Sequence, residues 1–172
     1  AIQSINIQSG IFCLMKDRFQ DIIWVGADGQ GIYMYFTDEF SIENVLLDVP
    51  EYRVNNPVRA LFLDHEQTLW IGTKGGGILR MMDFHPDRET LPQAERILAN
   101  NSALMDNSVY SFAPGRRNSL WIGTEDGLNY YSYLTRRIEE FPVIADGKKV
   151  KYVHSICETN DSTLWVVSAG EG

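Results

Sequence analysis

Four tryptophans, each set in a near-copy of one five-residue word, constrain this chain more than any other feature. They are Trp24, Trp70, Trp121 and Trp165, spaced 46, 51 and 44 residues apart. The words read Ile23-Trp24-Val25-Gly26-Ala27, Leu69-Trp70-Ile71-Gly72-Thr73, Leu120-Trp121-Ile122-Gly123-Thr124 and Leu164-Trp165-Val166-Val167-Ser168. A second word precedes each tryptophan: Val58 to Phe62, Val109 to Ala113 and Val153 to Cys157, with the valine 12 residues ahead in all three. The first copy, Ile11 to Met15, carries one extra residue before Trp24. A third word follows each Trp word in the first three units: Gly31 to Tyr35, Gly77 to Met81 and Gly127 to Tyr131. A looser fourth covers Ile42 to Leu47, Glu95 to Leu98 and Arg137 to Phe141.

Each word is a short β-branched or aromatic run bounded by Gly, Asn or Asp, which is the pattern of a strand. Strands are expected near residues 11–15, 22–27, 32–36, 58–63, 69–73, 78–82, 109–113, 120–124, 128–133, 153–157 and 164–168. Four short strands per period of about 45 residues is the arithmetic of a propeller blade. The fold class is therefore all-β, a partial β-propeller of about 3.5 four-stranded blades. The repeats run at approximately 9–54, 55–104, 105–149 and 150–172. Only Leu91 to Leu98 has some helical character, and it lengthens the second repeat.

Stacked blades cover the inner strands on both faces, so these read as near-continuous apolar runs. The tryptophans are expected between neighbouring sheets, where they fill a large volume. Gly26, Gly72 and Gly123 permit close backbone approach beside them. The column Cys13, Ala60, Ser111 and Ser155 is uniformly small, as innermost strands near an axis require. Cys13 and Cys157 sit in apolar strand words and read as buried small hydrophobes, a disulfide being the alternative.

The pattern Val-x-x-Leu, Leu-Trp-Ile-Gly-Thr, then Gly-Leu or Gly-Ile followed by Tyr resembles the two-component regulator propeller repeat. The best copies are Leu120 to Tyr131 and Leu69 to Leu79, with Trp24 to Tyr35 close behind. The fourth unit departs, with Val167 in place of Gly, and the first has Ala27 in place of Thr. The resemblance implies one part of a seven-bladed extracytoplasmic propeller of a hybrid sensor histidine kinase, in the periplasm, responding to oligosaccharides. Kinase, receiver and DNA-binding parts would lie C-terminal, beyond a membrane span. The opening residue is Ala1 rather than Met, so both ends read as boundaries within a longer array. The implied partners are further blades of the same protein and an oligosaccharide.

Other chemistry is weakly represented. A net charge of −8 disfavours nucleic acid as a partner, and no apolar run is long enough to span a membrane. The segment Gly72 to Gly77 lies between two strand words and lacks the order of a phosphate loop, so it reads as a blade turn. Asp17 and Asp64, equivalent residues at the end of the first strand word, read as turn chemistry. His65, His85 and His154 have no metal-ligand spacing. No catalytic residues, metal ligands or cofactor are assigned. One column stands out: Phe12, Arg59, Tyr110 and His154 follow the first residue of each first-strand word, and their chemistry changes from blade to blade. Aromatic and guanidinium groups near the mouth of an axial channel suit sugar or acid binding, whereas packing between blades is the structural alternative. A propeller scaffold for protein interaction and a propeller-fold polysaccharide lyase are the competing readings. A scaffold of the WD-repeat kind would show Trp-Asp pairs, and here each Trp is followed by Ile or Val. The end blades are expected to expose Trp24, Phe12 and Met15 on one side and Trp165 and Ile156 on the other, inviting a homodimer through those faces.

Overall fold

The computed structural model describes residues 4–45, 50–86 and 92–169. Among the described residues, three four-stranded antiparallel meanders and two strand pairs follow one another along the chain. The first blade is β1 (Ile11–Lys16), β2 (Ile22–Ala27), β3 (Ile32–Phe36) and β4 (Ser41–Asn44). A short 3-10 helix, Pro50–Tyr52, leads into the second blade: β5 (Val58–Leu63), β6 (Thr68–Thr73), β7 (Ile78–Met82) and β8 (Gln93–Ile97). The third blade is β9 (Val109–Gly115), β10 (Ser119–Thr124), β11 (Gly127–Ser132) and β12 (Arg137–Glu140). A small hairpin, β13 (Ile144–Ala145) and β14 (Lys148–Lys149), precedes the fourth sheet, which pairs β15 (Val153–Glu158) with β16 (Leu164–Ser168).

Turn chemistry closes each meander. Asp17 Oδ1 accepts from the Phe19 and Gln20 amides, and Asp64 Oδ1 accepts from the Glu66 and Thr68 amides. The segment between β6 and β7 is a hairpin turn, closed by Thr73 Oγ1 donating to the Gly77 carbonyl at 2.8 Å. Gly77 has φ +69°, and a Cβ there would stand 2.2 Å from the Ile97 carbonyl oxygen.

The first strands lie side by side, β1 against β5, β5 against β9 and β9 against β15, so they form the inner edge of the array. Between successive sheets lie three apolar cores. The second strands explain how one strand serves two of them. Side chains alternate across a sheet, so Leu69 and Ile71 face the first blade while Trp70 faces the third. Trp24 likewise meets Phe84 of the second blade at 5.7 Å, and Trp121 packs toward Val153 and Ile156 of the fourth.

This direction corrects the expected exposed faces. Trp24 and Ile156 are buried, and Met15 packs inward against the first core. Phe12 and Trp165 are exposed as expected, and the other outward residues of the first blade are Ile11 and Leu14. The cause is that each tryptophan points toward the blade that follows it, not the one before. Cys157 is also exposed rather than buried, because it stands opposite Trp165 on the same outward face. Cys13 is half-buried; both thiols are free. Residues 93–97 form β8, not a helix, since the edge of the blade takes them into its ladder against β7. Leu91, and Leu46 and Leu47 of the looser fourth word, lie outside the described residues.

Candidate ligand site at the innermost strands

Each first strand carries the same irregularity. The pairing with the second strand slips by one residue between Ile11 and Cys13, between Val58 and Ala60, between Val109 and Ser111, and between Val153 and Ser155. The extra residue is Phe12, Arg59, Tyr110 or His154. A bulge of this kind leaves one residue unpaired and re-aims its side chain. All four members of the variable column are thus bulge residues, freed from the ladder by the same device.

The bulge also explains the two columns beside it. The valine before it turns back to pack on the preceding blade, and the small residue after it faces forward. A Cβ on Gly26 would lie 2.4 Å from Cys13 Sγ and 2.7 Å from Val58 Cγ1. On Gly72 it would lie 2.8 Å from Val109 Cγ1, and on Gly123 it would lie 2.5 Å from the Val153 carbonyl oxygen. Each glycine is therefore a notch that seats the next blade's valine. The small column ties the same joints, with Ser111 Oγ donating to the Val153 carbonyl at 3.0 Å and Cys13 Sγ to the Val58 carbonyl at 3.6 Å. Burial pushes the Cys13 thiol up to about 11, so it stays protonated as a donor at neutral pH.

Across the blades the freed side chains form one stack. The Arg59 guanidinium carbon lies 4.3 Å from the Phe12 ring centre and 5.7 Å from that of Tyr110. Tyr110 and His154 stack with centroids 4.7 Å apart and planes inclined by 29°. Tyr110 donates its hydroxyl hydrogen to Glu125 Oε2 at 2.8 Å. Burial, with that hydrogen bond, pushes the Tyr110 phenol up to about 12. Glu125 lies in the turn between β10 and β11, and nothing in the first-strand word signals it. Phe12 and His154 end the described stack and are exposed, while Arg59 and Tyr110 are half-buried. Four planar groups in series leave ring surface open at Phe12 and His154, with the polar groups of Arg59 and Tyr110 between them.

A second polar concavity has two of its arginines, Arg80 and Arg136, ion-paired within the protein. A cavity of about 670 Å³ opens between the outer strands of the second and third blades, lined in part by Arg80, Glu95, Tyr131 and Arg136. Arg80 there is buried against Trp70 and Tyr131 and ion-paired to Glu95 at 2.7 Å, while Arg136 is paired to Glu66. The remaining histidines are apart from the stack: His65 meets the Tyr133 ring at 4.6 Å, and His85 pairs with Asp83 at 2.9 Å.

The four-stranded meanders, the inner edge of first strands and the inter-blade cores define a β-propeller class of protein. Within that class, residues 53–75 and 103–126 match the family model described as the two component regulator propeller. Over 171 residues the chain is 27% identical to Histidine kinase P4 of Formosa agariphila, an alignment that takes in 97% of this chain and 12% of that protein. The fold matches the extracellular domain assigned to a hybrid two component system of B. thetaiotaomicron with a TM-score of 0.74 at 18% identity, over 99% of this chain and 22% of that one. The WD40 repeats of RRP9 match with a TM-score of 0.62 at 12% identity, over 98% of this chain and 54% of theirs. The chain spans a small part of the kinase and of the bacterial extracellular domain, and the two structural matches are matches of fold.

Proposed function

We propose that this chain is part of the extracytoplasmic sensor propeller of a hybrid two-component histidine kinase. It senses a ligand derived from an oligosaccharide or polysaccharide and has no catalysis of its own. The observation that carries this reading is the fourfold bulge that presents Phe12, Arg59, Tyr110 and His154 as one stack on the inner strands. The bulge serves blade packing in all four repeats, but packing does not require the residue it frees to change chemistry from blade to blade. The exposed rings of Phe12 and His154 suit the C–H faces of sugar rings, and the polar groups between them supply polar contacts. The match to two-component regulator propeller repeats, and the names of the relatives, support the placement outside the cytoplasm and the signalling role.

The test is titration of the purified chain with a panel of oligosaccharides while the ring resonances of Tyr110 and His154 are followed by NMR. Shifts that saturate, and that vanish in Tyr110→Ala, are expected. Autophosphorylation or glycan cleavage by the chain itself would contradict the reading, as would a panel that leaves the stack undisturbed.

A further inference from the structure

We infer that the ligand of the stack carries an oxyanion, a carboxylate or a sulfate ester, and that Arg59 is its counter-ion. This rests on the reading of the stack as a ligand site. Arg59 is half-buried between two rings, and among the described residues no carboxylate or carbonyl accepts a hydrogen bond from it. The other inter-blade arginines are served otherwise. Arg80 is paired with Glu95, Arg136 with Glu66, and Arg116 bonds to the Asn160 carbonyl. Arg59 alone among these four stands in the innermost column, and it alone is left without an acceptor.

The geometry selects what can complete it. The Phe12 and Tyr110 ring centres lie 4.3 and 5.7 Å from the guanidinium carbon, and the N–H groups of this planar group lie along its edge. A planar fork of donors matches the paired oxygens of a carboxylate or a sulfate. A neutral sugar laid over Arg59 would strip its water and return single hydroxyl contacts without a counter-charge, which is costly for a charged group. Glu125 meets the stack through the Tyr110 hydroxyl, and among the described residues no ion pair joins it to Arg59. The chain's net charge of −8 repels anions at long range, so selection has to come from contact at this one guanidinium.

The experiment titrates the intact chain with methyl glucuronide, galactose 6-sulfate and methyl glucoside, following the Tyr110 and His154 rings by NMR. At least one of the two acids is expected to bind about tenfold more tightly than methyl glucoside. The tighter of the two identifies the oxyanion as carboxylate or sulfate. Arg59→Lys should lose about tenfold in affinity for that acid, since the ammonium keeps the charge and loses the fork. Arg59→Met should bring the acid down to the affinity of methyl glucoside. Thermal unfolding of both variants shows that each is folded, and His85→Ala, distant from the stack, should bind as the native chain does. Methyl glucoside binding as tightly as the acids would overturn the oxyanion and leave the ligand site standing. So would acid binding that survives Arg59→Met. No shift of the stack with any of the three probes at millimolar concentration would overturn the site itself.

Discussion

At the scale of single residues, the indole N–H groups reveal how the blades are tied. Asp17 Oδ2 accepts from Trp24 Nε1 and Asp64 Oδ2 from Trp70 Nε1, both at 2.9 Å. Asp64 also accepts from the Tyr133 hydroxyl of the third blade at 3.0 Å, so one buried carboxylate holds a turn, a tryptophan and a neighbouring blade. Its removal strands several buried donors at once. Asp64→Ala is expected to cost about 3–4 kcal/mol, measurable by urea unfolding, and a loss under 1 kcal/mol would contradict this account. The third blade has Gly115 where the first two have aspartate, and a Cβ there would lie 2.3 Å from Ser119 Oγ. Its Trp121 donates instead to Glu158 of the fourth blade at 2.8 Å. Burial pushes the Glu158 carboxyl up, but the hydrogen bonds from Trp121 and the Arg116 amide, with the charges of Arg116 and Arg117, outweigh it and hold the pKa below its ordinary value. A depressed carboxylate contributes its stability fully above the unfolded value near 4.3 and loses it as pH falls through the lower folded value. The stability gap between the native chain and Glu158→Gln should therefore be widest at neutral pH and close in acid. Unfolding followed through tryptophan fluorescence from pH 7 to 3 measures it, and a gap that widens in acid would reverse the assignment.

At the scale of the strand, the glycine notch and the bulge are one device. The glycine leaves room for a valine, and the bulge turns that valine backward while the small residue beyond it faces forward. Gly72→Ala is expected to destabilise by about 2 kcal/mol, because its Cβ would press on Val109 Cγ1 at 2.8 Å. Trimming the partner in Gly72→Ala/Val109→Ala should relieve that clash, giving a coupling of about 1 kcal/mol in a double-mutant cycle. Additive single effects would show that the two side chains do not meet. The strand words, the notch glycines and the small column were all readable in the sequence, because a repeated period lets one blade calibrate the next. The bulge was not readable, since none of Phe12, Arg59, Tyr110 and His154 is a glycine and strict alternation fits the same letters. The aspartates read as turn residues, which is half of their role. Their bonds to tryptophan depend on how the two strands twist together. Glu125 was invisible because it reaches Tyr110 from a turn in the same blade that looks like any other turn.

At the scale of the whole molecule, the two outward faces decide how copies can meet. The first blade presents Ile11 and Leu14, 51% and 65% exposed, and the fourth presents Trp165 and Val167, 64% and 52% exposed. Apolar faces of this kind invite a second copy, and the simplest pairing would extend the array head to tail. Ile11 is the counterpart of Val58, Val109 and Val153, so it would have to enter the notch of the fourth blade. That notch is filled: Val167 stands where Gly26, Gly72 and Gly123 leave room, and even a lone Cβ at those positions would come within 2.8 Å of a neighbour. An isopropyl group there keeps Ile11 from seating as the three valines do. For this chain taken by itself, head-to-tail growth is therefore expected to be absent, and any self-association is expected to pair like faces. Val167→Gly opens the fourth notch and should let association continue past a dimer as concentration rises. Sedimentation velocity across a micromolar concentration series distinguishes the two. A native chain that already grows beyond a dimer, or a glycine variant that sediments as the native chain does, would show that the notch does not govern how blades join.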